Sequence, residues 1–374
     1  MFPDTWREAA LAPPTAWGSP LATGVMRASP EDFTVDEILG FEAAGAGPHA
    51  LLRVRKRGAN TEWVARELAR AAGCKPFEVG FAGLKDRHAV TTQHFTVPRG
   101  KRAAQDFLAL RGEGYEVLSS VEHQRKLPRG ALEGNRFEIT VRSFHCEPAT
   151  LERRIAAVRA GGVPNYFGEQ RFGRDGGNLT AVWREAERLG AQADAAEAAD
   201  PRAPGGRGAA RDSRSRGRGN DDRGFMLSAA RSLVFNAILA ARVRDGSWNQ
   251  LAPGDVANLD GRGSVFAVDG ADPTLTVRCA SLEIHATAPL LGDGESLALG
   301  TVLELEQSVS QRFPEALAVI RAARMNSERR ALRIRVRDLE HHYAGDTLTL
   351  RFALSAGSFA TTVLREIMAG ASGD

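Results

Sequence analysis

Residues 80–97 read GFAGLKDRHAVTTQHFTV, with Lys85, Asp86, Arg87 and His88 set between two apolar, strand-like runs. The second run alternates. Val90, Thr92, His94 and Thr96 fall on one side, and Gln93, Phe95 and Val97 on the other, which predicts a strand. Gly80 and Gly83 bracket the bend and let the backbone approach another group closely. The stretch therefore reads as strand, polar turn, strand. A turn of this kind is either a solvated loop or a site. Asp86 is its only carboxylate, and the basic neighbours Lys85, Arg87 and His88 would favour its ionised form if they lie within several ångströms. Such a carboxylate can act as a nucleophile at a sugar carbon or as a base. Lys85 and Arg87 can orient it or grip phosphates.

The neighbouring segments build a mixed fold. Residues 32–39 (DFTVDEIL) and 50–56 (LLRVRK, preceded by Ala50) alternate as strands. Residues 59–73 follow as a helix, with Asn60 as cap, Trp63, Val64, Leu68 and Ala71 on one face, and Gly73 at the end. Residues 124–142 begin basic and end as a strand. Residues 148–160 form an amphipathic helix, and residues 161–178 a Gly-rich, aromatic and basic connection. Residues 227–244 read as an apolar helix capped by Ser228. Short strands and turns are expected over 251–305, a helix over 314–325, and strands over 331–337 and 346–354. A last helix is expected from Ser358 to Met368, with Ser358 at its N-cap and Gly370 beyond it. This mixed order predicts an α+β fold. Strands near both ends of the chain suggest one shared sheet. Residues 1–160 plus 330–374 would then form one domain, and residues 161–329 an inserted one. Residues 191–223 contain no aromatic and almost nothing apolar, so they read as a disordered insertion. Its Arg/Gly-rich half is either a tolerated surface loop or a sequence-independent contact to a phosphate backbone.

Composition sets bounds on function. Of 374 residues, 43% are hydrophobic and 25% charged, with a formal net charge of +3, which suits a soluble globular chain and permits a polyanionic partner. Cys74, Cys146 and Cys279 are scattered and form no CxxC, which suits a reducing cytoplasm and argues against a zinc site. The opening MFPDTWREAALAPPTAW does not resemble a signal peptide. No run of about 18 apolar residues occurs, so no membrane span is expected. P-loop, GxSxG and HExxH motifs are missing. His341 and His342, adjacent on a strand, would point to opposite faces. No metal or cofactor is expected.

Three further elements bear on Asp86. Asn135 and Phe137 lie two apart at a strand start and so share a face. An amide and an aromatic ring are what a flipped base needs. Phe359, beside Gly357 and Ser358, sits at a helix start. Arg125, Lys126 and Arg129 precede the Asn–Phe pair, and Arg171 and Arg174 lie in the Gly-rich connection, interleaving charge with aromatics as single-stranded nucleic-acid surfaces do. Each of these residues has an ordinary structural reading as well: core rings, turn residues and solvated charges.

Six blocks, EDFTVDEILGF, GFAGLKDRHAVTTQHF, LEGNRFEI, GGVPNYFGEQRFGRDGGN, LSAARSLVFNAILAAR and SAGSFATTVLREI, resemble the signature blocks of the TruD family of tRNA pseudouridine synthases, in family order. The resemblance implies a pseudouridine-synthase catalytic domain with a mixed, mainly antiparallel sheet, interrupted by an inserted α+β TRUD domain. It implies an isomerase that converts uridine to pseudouridine, typically at position thirteen of tRNA; from the composition and missing motifs a cytoplasmic protein without a cofactor is expected, with a monomer as the default. The family's catalytic aspartate falls on Asp86, and its active-site Phe, Asn, Phe and Phe fall on Phe33, Asn135, Phe137 and Phe359. Lys85 joins these as a substrate contact. Arg87, Arg125, Lys126, Arg129 and Arg171 are the candidate RNA contacts. Residues 191–223 are longer and richer in Arg and Gly than the family pattern, and SAGSF replaces a Pro-led version. The rival readings are a non-catalytic tRNA-binding or tRNA-folding protein on the same fold, and a metal-dependent hydrolase, for which no ligand cluster is evident.

Overall fold

A computed structural model describes residues 2–198, 218–268, 270 and 272–370. The chain forms two compact units, Ser19–Ala160 with Arg335–Asp374, and Met1–Gly18 with Gly161–Ile334.

The first of these units is built on a ten-stranded sheet. Its strands are β1 (Val25–Met26), β2 (Phe33–Ile38), β3 (His49–Arg57), β4 (Gly80–Phe81), β5 (Val90–Pro98), β6 (Arg111–Gly112), β7 (Tyr115–His123), β8 (Gly134–Arg142), β9 (Arg337–Ala344) and β10 (Thr347–Ser355). The order is β9-β10-β8-β2-β5-β3-β7-β6, with β1 paired to β8 and β4 to β5. Only β2–β5 is parallel. The early and late strands do share one sheet, through β8 and β10. β5 is central and buried on both faces. Its alternation therefore separates two packed faces, not a dry face from a wet one.

Helix α1 (Thr61–Ala72) ends at Gly73, whose φ of 68° only glycine adopts freely. Asn60 precedes it without a side-chain cap bond. The helix buries Val64, Ala65, Leu68 and Ala69 against Leu52, Val54 and Phe95. Trp63 is only partly buried at the edge of this core. The last helix is shorter than expected, Ala360–Arg365, with Phe359 and not Ser358 at its N-cap. The chain then extends again, and Met368–Ala369 pairs in parallel with Ala22–Thr23. β-strand pairing outcompetes helix continuation there.

The second unit packs helices Asp4–Leu11, Gly177–Ala198, Gly300–Ser310 and Pro314–Ala323 around helix Arg218–Arg244. A four-stranded antiparallel sheet, in the order Val265–Ala267, Val256–Leu259, Ile284–Leu290, Glu328–Ala331, completes it. Residues 1–18, expected with the catalytic domain, group here. Trp6 is 1% exposed and meets Trp183 edge-on at 5.5 Å, and the Trp17 indole donates to the Gly162 carbonyl at 2.8 Å. Within the expected disordered insertion, residues 191–198 and 218–223 continue the flanking helices; Ala, Glu and Gln supply helix propensity in the first of these stretches. The remainder, 199–217, lies outside the described residues. Helix Arg223–Arg244 is long and apolar enough to cross a membrane, contrary to the sequence reading, but 67% of its most apolar 18-residue window is buried within this unit.

Candidate active site

The loop between β4 and β5 carries Asp86, and its backbone is tied down at several points. Gln93 Nε2, on β5, donates to the Gly83 carbonyl at 3.2 Å. Thr61 Oγ1, at the start of α1, accepts from the Lys85 N–H at 3.0 Å and donates to Gln93 Oε1 at 2.8 Å. Lys56 Nζ, on β3, donates to the carbonyls of Asp86 and Ala59, both at 2.8 Å, and of Lys85 at 3.4 Å. Lys56 is 1% exposed.

The Asp86 side chain is 30% exposed, so it can meet a ligand. Its Oδ2 accepts from Arg27 Nη2 at 2.7 Å, and its Oδ1 accepts from the His88 N–H at 3.2 Å. These contacts orient the carboxylate. The sequence points to Lys85, Arg87 and His88 as its charged neighbours. The structure corrects it: Arg87 Nε donates to the Gly58 carbonyl at 3.3 Å, and His88 contributes only its backbone. The Lys85 ammonium is turned inward. Its side chain is 6% exposed and pairs at 2.9 Å with Glu37 Oε2, which is fully buried. Lys85 thus anchors the turn to β2. Glu37 Oε1 also accepts the His94 N–H at 2.9 Å. Burial raises the Glu37 carboxyl, but the His94 contact and the Lys85 charge outweigh it, and the net displacement is downward.

Strand register assembles the remaining candidates. Glu37 pairs with Asn135, and Asn135 with Leu354; Val35 pairs with Phe137, and Phe137 with Phe352. Asn135 and Phe137 share the face that also holds Glu37. The Asn135 amide oxygen is buried without a hydrogen-bond partner among the described residues. Such an acceptor costs about 1–3 kcal/mol until a donor meets it. Phe33 and Phe137 are 5% and 7% exposed. Phe137 lies between Phe352, stacked at 5.4 Å, and Phe33, edge-on at 6.2 Å. The Arg27 guanidinium sits 4.3 Å from the Phe33 ring centroid. One arginine thus bridges an aromatic ring and the Asp86 carboxylate. Phe359 follows β10 after a short turn and is half-buried.

The basic candidates divide. Arg125, Lys126 and Arg129 are exposed on the segment that runs beside β4. Leu127 N–H donates to Thr96 Oγ1, and Gly130 N–H to the Ala82 carbonyl. Arg129 lies 3.6 Å over the Phe81 ring, and Lys126 Nζ donates to the Phe77 carbonyl. Phe77, which the sequence reading passed over, is 70% exposed. Leu84, in the turn that carries Asp86, is 65% exposed. Arg171, in the other unit, is turned inward. It donates to Ser228 Oγ at 2.8 Å and lies over Phe167. Ser228 is a partner inside a long helix, not its cap. Among the described residues, no cluster of three metal-binding side chains occurs.

The first unit thus sets a clamped aspartate on a connecting loop of a mixed sheet, and the second unit interrupts it in sequence. The family model for tRNA pseudouridine synthase D (TruD) matches residues 15–184 and 223–367. Tracts of 356 and 358 residues are 46% and 44% identical to proteins named tRNA pseudouridine synthase D from Methylococcus capsulatus and Xanthomonas campestris pv. campestris strain 8004, covering 95% of this chain and 94% of each relative. A Methanosarcina mazei crystal structure described as tRNA pseudouridine synthase D superimposes with a TM-score of 0.71 at 22% identity, over 98% of both chains, which shows the shared fold. The chain belongs to the TruD family.

Proposed function

We propose that this protein is an isomerase that converts uridine in tRNA to pseudouridine, at position thirteen, with Asp86 as its catalytic residue. The reading is supported above all by the Asp86 carboxylate, which is accessible yet held on both oxygens by Arg27 and the His88 N–H. The reaction breaks the C1′–N1 bond, turns the uracil, joins C1′ to C5, and moves the C5 proton away while N1 gains one. It is an isomerisation without redox change. Asp86 either attacks C1′ or removes the adjacent sugar proton; its contacts suit both roles. The charge that develops at C1′ resembles that in glycoside cleavage, where a carboxylate also serves.

The base must leave its stack, at a cost of a few kcal/mol. The Asn135 amide oxygen would accept the uracil imino proton, which answers its missing partner. The rings of Phe33 and Phe137 are already occupied by Arg27, Phe352 and each other, so Phe359 is the ring that stacks on the flipped base. Arg125, Lys126 and Arg129 line the approach for phosphates, and Arg87 borders the turn. The protein works as a monomer in the cytoplasm.

The test is tritium release from C5-labelled uridine in tRNA, with wild type and Asp86→Ala side by side. Wild type is expected to release label and Asp86→Ala to release none while still binding tRNA. Retained binding with no release from either protein would instead establish the non-catalytic reading.

A further inference from the structure

Lys56 stands where its strand pattern calls for an apolar side chain. In β3, Leu52 and Val54 face the core and Arg53, Arg55 and Arg57 face out. Lys56 continues the inward series and is 1% exposed. A buried ammonium is costly unless it is fully hydrogen-bonded. Its three protons meet three main-chain carbonyls, those of Ala59, Lys85 and Asp86. Among the described residues it has no carboxylate within ion-pair distance. Two of its three acceptors belong to the turn that presents Asp86, so the ammonium grips the main chain of that turn while Arg27 holds the carboxylate.

We propose that Lys56 is a positioning residue for Asp86, setting the height and angle of the catalytic turn through the carbonyls of residues 85 and 86. This rests on the reading of Asp86 as catalytic. The charged groups facing Lys56 are Asp86 and Lys85, themselves paired with Arg27 and Glu37. Burial pushes the ammonium down to about 8, with Asp86 opposing and Lys85 adding to the displacement. A neutral amine has two protons for three carbonyls, so the grip slackens as pH rises through that value.

The experiment measures kcat, KM and tRNA affinity for wild type, Lys56→Met and Lys56→Arg. Lys56→Met should lose on the order of 10²-fold in kcat, the scale of a misplacement near 1 Å, with KM and Kd within about threefold of wild type. Wild-type kcat should fall above pH 8. Lys56→Arg, charged throughout that range, should lack that limb although it acts on the same uracil. An undiminished kcat in Lys56→Met, or losses of affinity that match those of kcat, would overturn the proposal. If Lys56→Met fails to fold, the alkaline limb decides: an identical limb in wild type and Lys56→Arg, or none in either, also overturns it. A wild type that makes no product at all sinks the pseudouridylation reading instead.

Discussion

The buried pair of Lys85 and Glu37 is held at 2.9 Å with almost no solvent on either side chain. Removing one partner leaves the other charge in a poor dielectric. Lys85→Met is therefore expected to destabilise the protein by about 3–5 kcal/mol in urea unfolding, far more than a surface pair costs. A loss below about 1 kcal/mol would mean that His94 alone satisfies Glu37. The sign of the pH response follows from the net downward displacement of Glu37. Its stabilising contribution is present above the ordinary glutamate range and is lost as pH falls through its lower folded value. That Asn135 and Phe137 share a face was legible from strand parity, and Asp86 stood out as the only carboxylate of its turn. Glu37 and Lys56 carried a readable signal that the sequence reading did not use: both put a charge on the inward parity of an otherwise apolar strand face. Arg27 gave no such signal. It reaches Asp86 across 59 residues, a distance no local pattern encodes.

Between residue and molecule, the element that matters is the short pairing of β4 with β5, because it delivers the chain into the turn that carries Asp86. A side chain on Gly80 would place its Cβ 2.4 Å from Thr96 Oγ1 and 2.6 Å from the Leu127 carbonyl oxygen. Two of its three nearest neighbours are backbone atoms, so the strand must move. Gly80→Ala is expected to cost about 1–3 kcal/mol of stability, with a loss of turnover beyond what the unfolded fraction explains. Unchanged melting and unchanged kcat would show that the loop is positioned by Lys56, Thr61 and Gln93 without β4. The same pairing shows why the strands were easier to read than their environment. Alternation in residues 90–97 locates β5, but only its neighbours β2 and β3 make it central and dry on both sides. The final helix was overread for a related reason. Its sequence favours helix through Met368, yet a parallel partner at Ala22 claims the last residues for a strand.

For the whole molecule, a net charge of +3 is too small to explain affinity for a polyanion, so the arrangement of charge must. Arg125, Lys126 and Arg129 stand exposed beside β4, next to an exposed Phe77 over which the Lys75 ammonium lies at 5.8 Å. Cations would release counterions from phosphates, and the ring would stack on a base. These two contributions separate in a salt titration of tRNA binding. Affinity should fall steeply and linearly in log–log form for wild type. Lys126→Ala should lower the slope by about 1, because one phosphate contact is removed. Phe77→Ala should keep the slope but weaken binding at every salt concentration by about 1–3 kcal/mol. Arg171→Ala should leave the slope alone and lower stability, since its guanidinium is tied to Ser228 and Phe167. A salt-independent affinity would count against an RNA substrate altogether. Steep dependence with an unaltered slope in Lys126→Ala would move the phosphate track to another face of the protein.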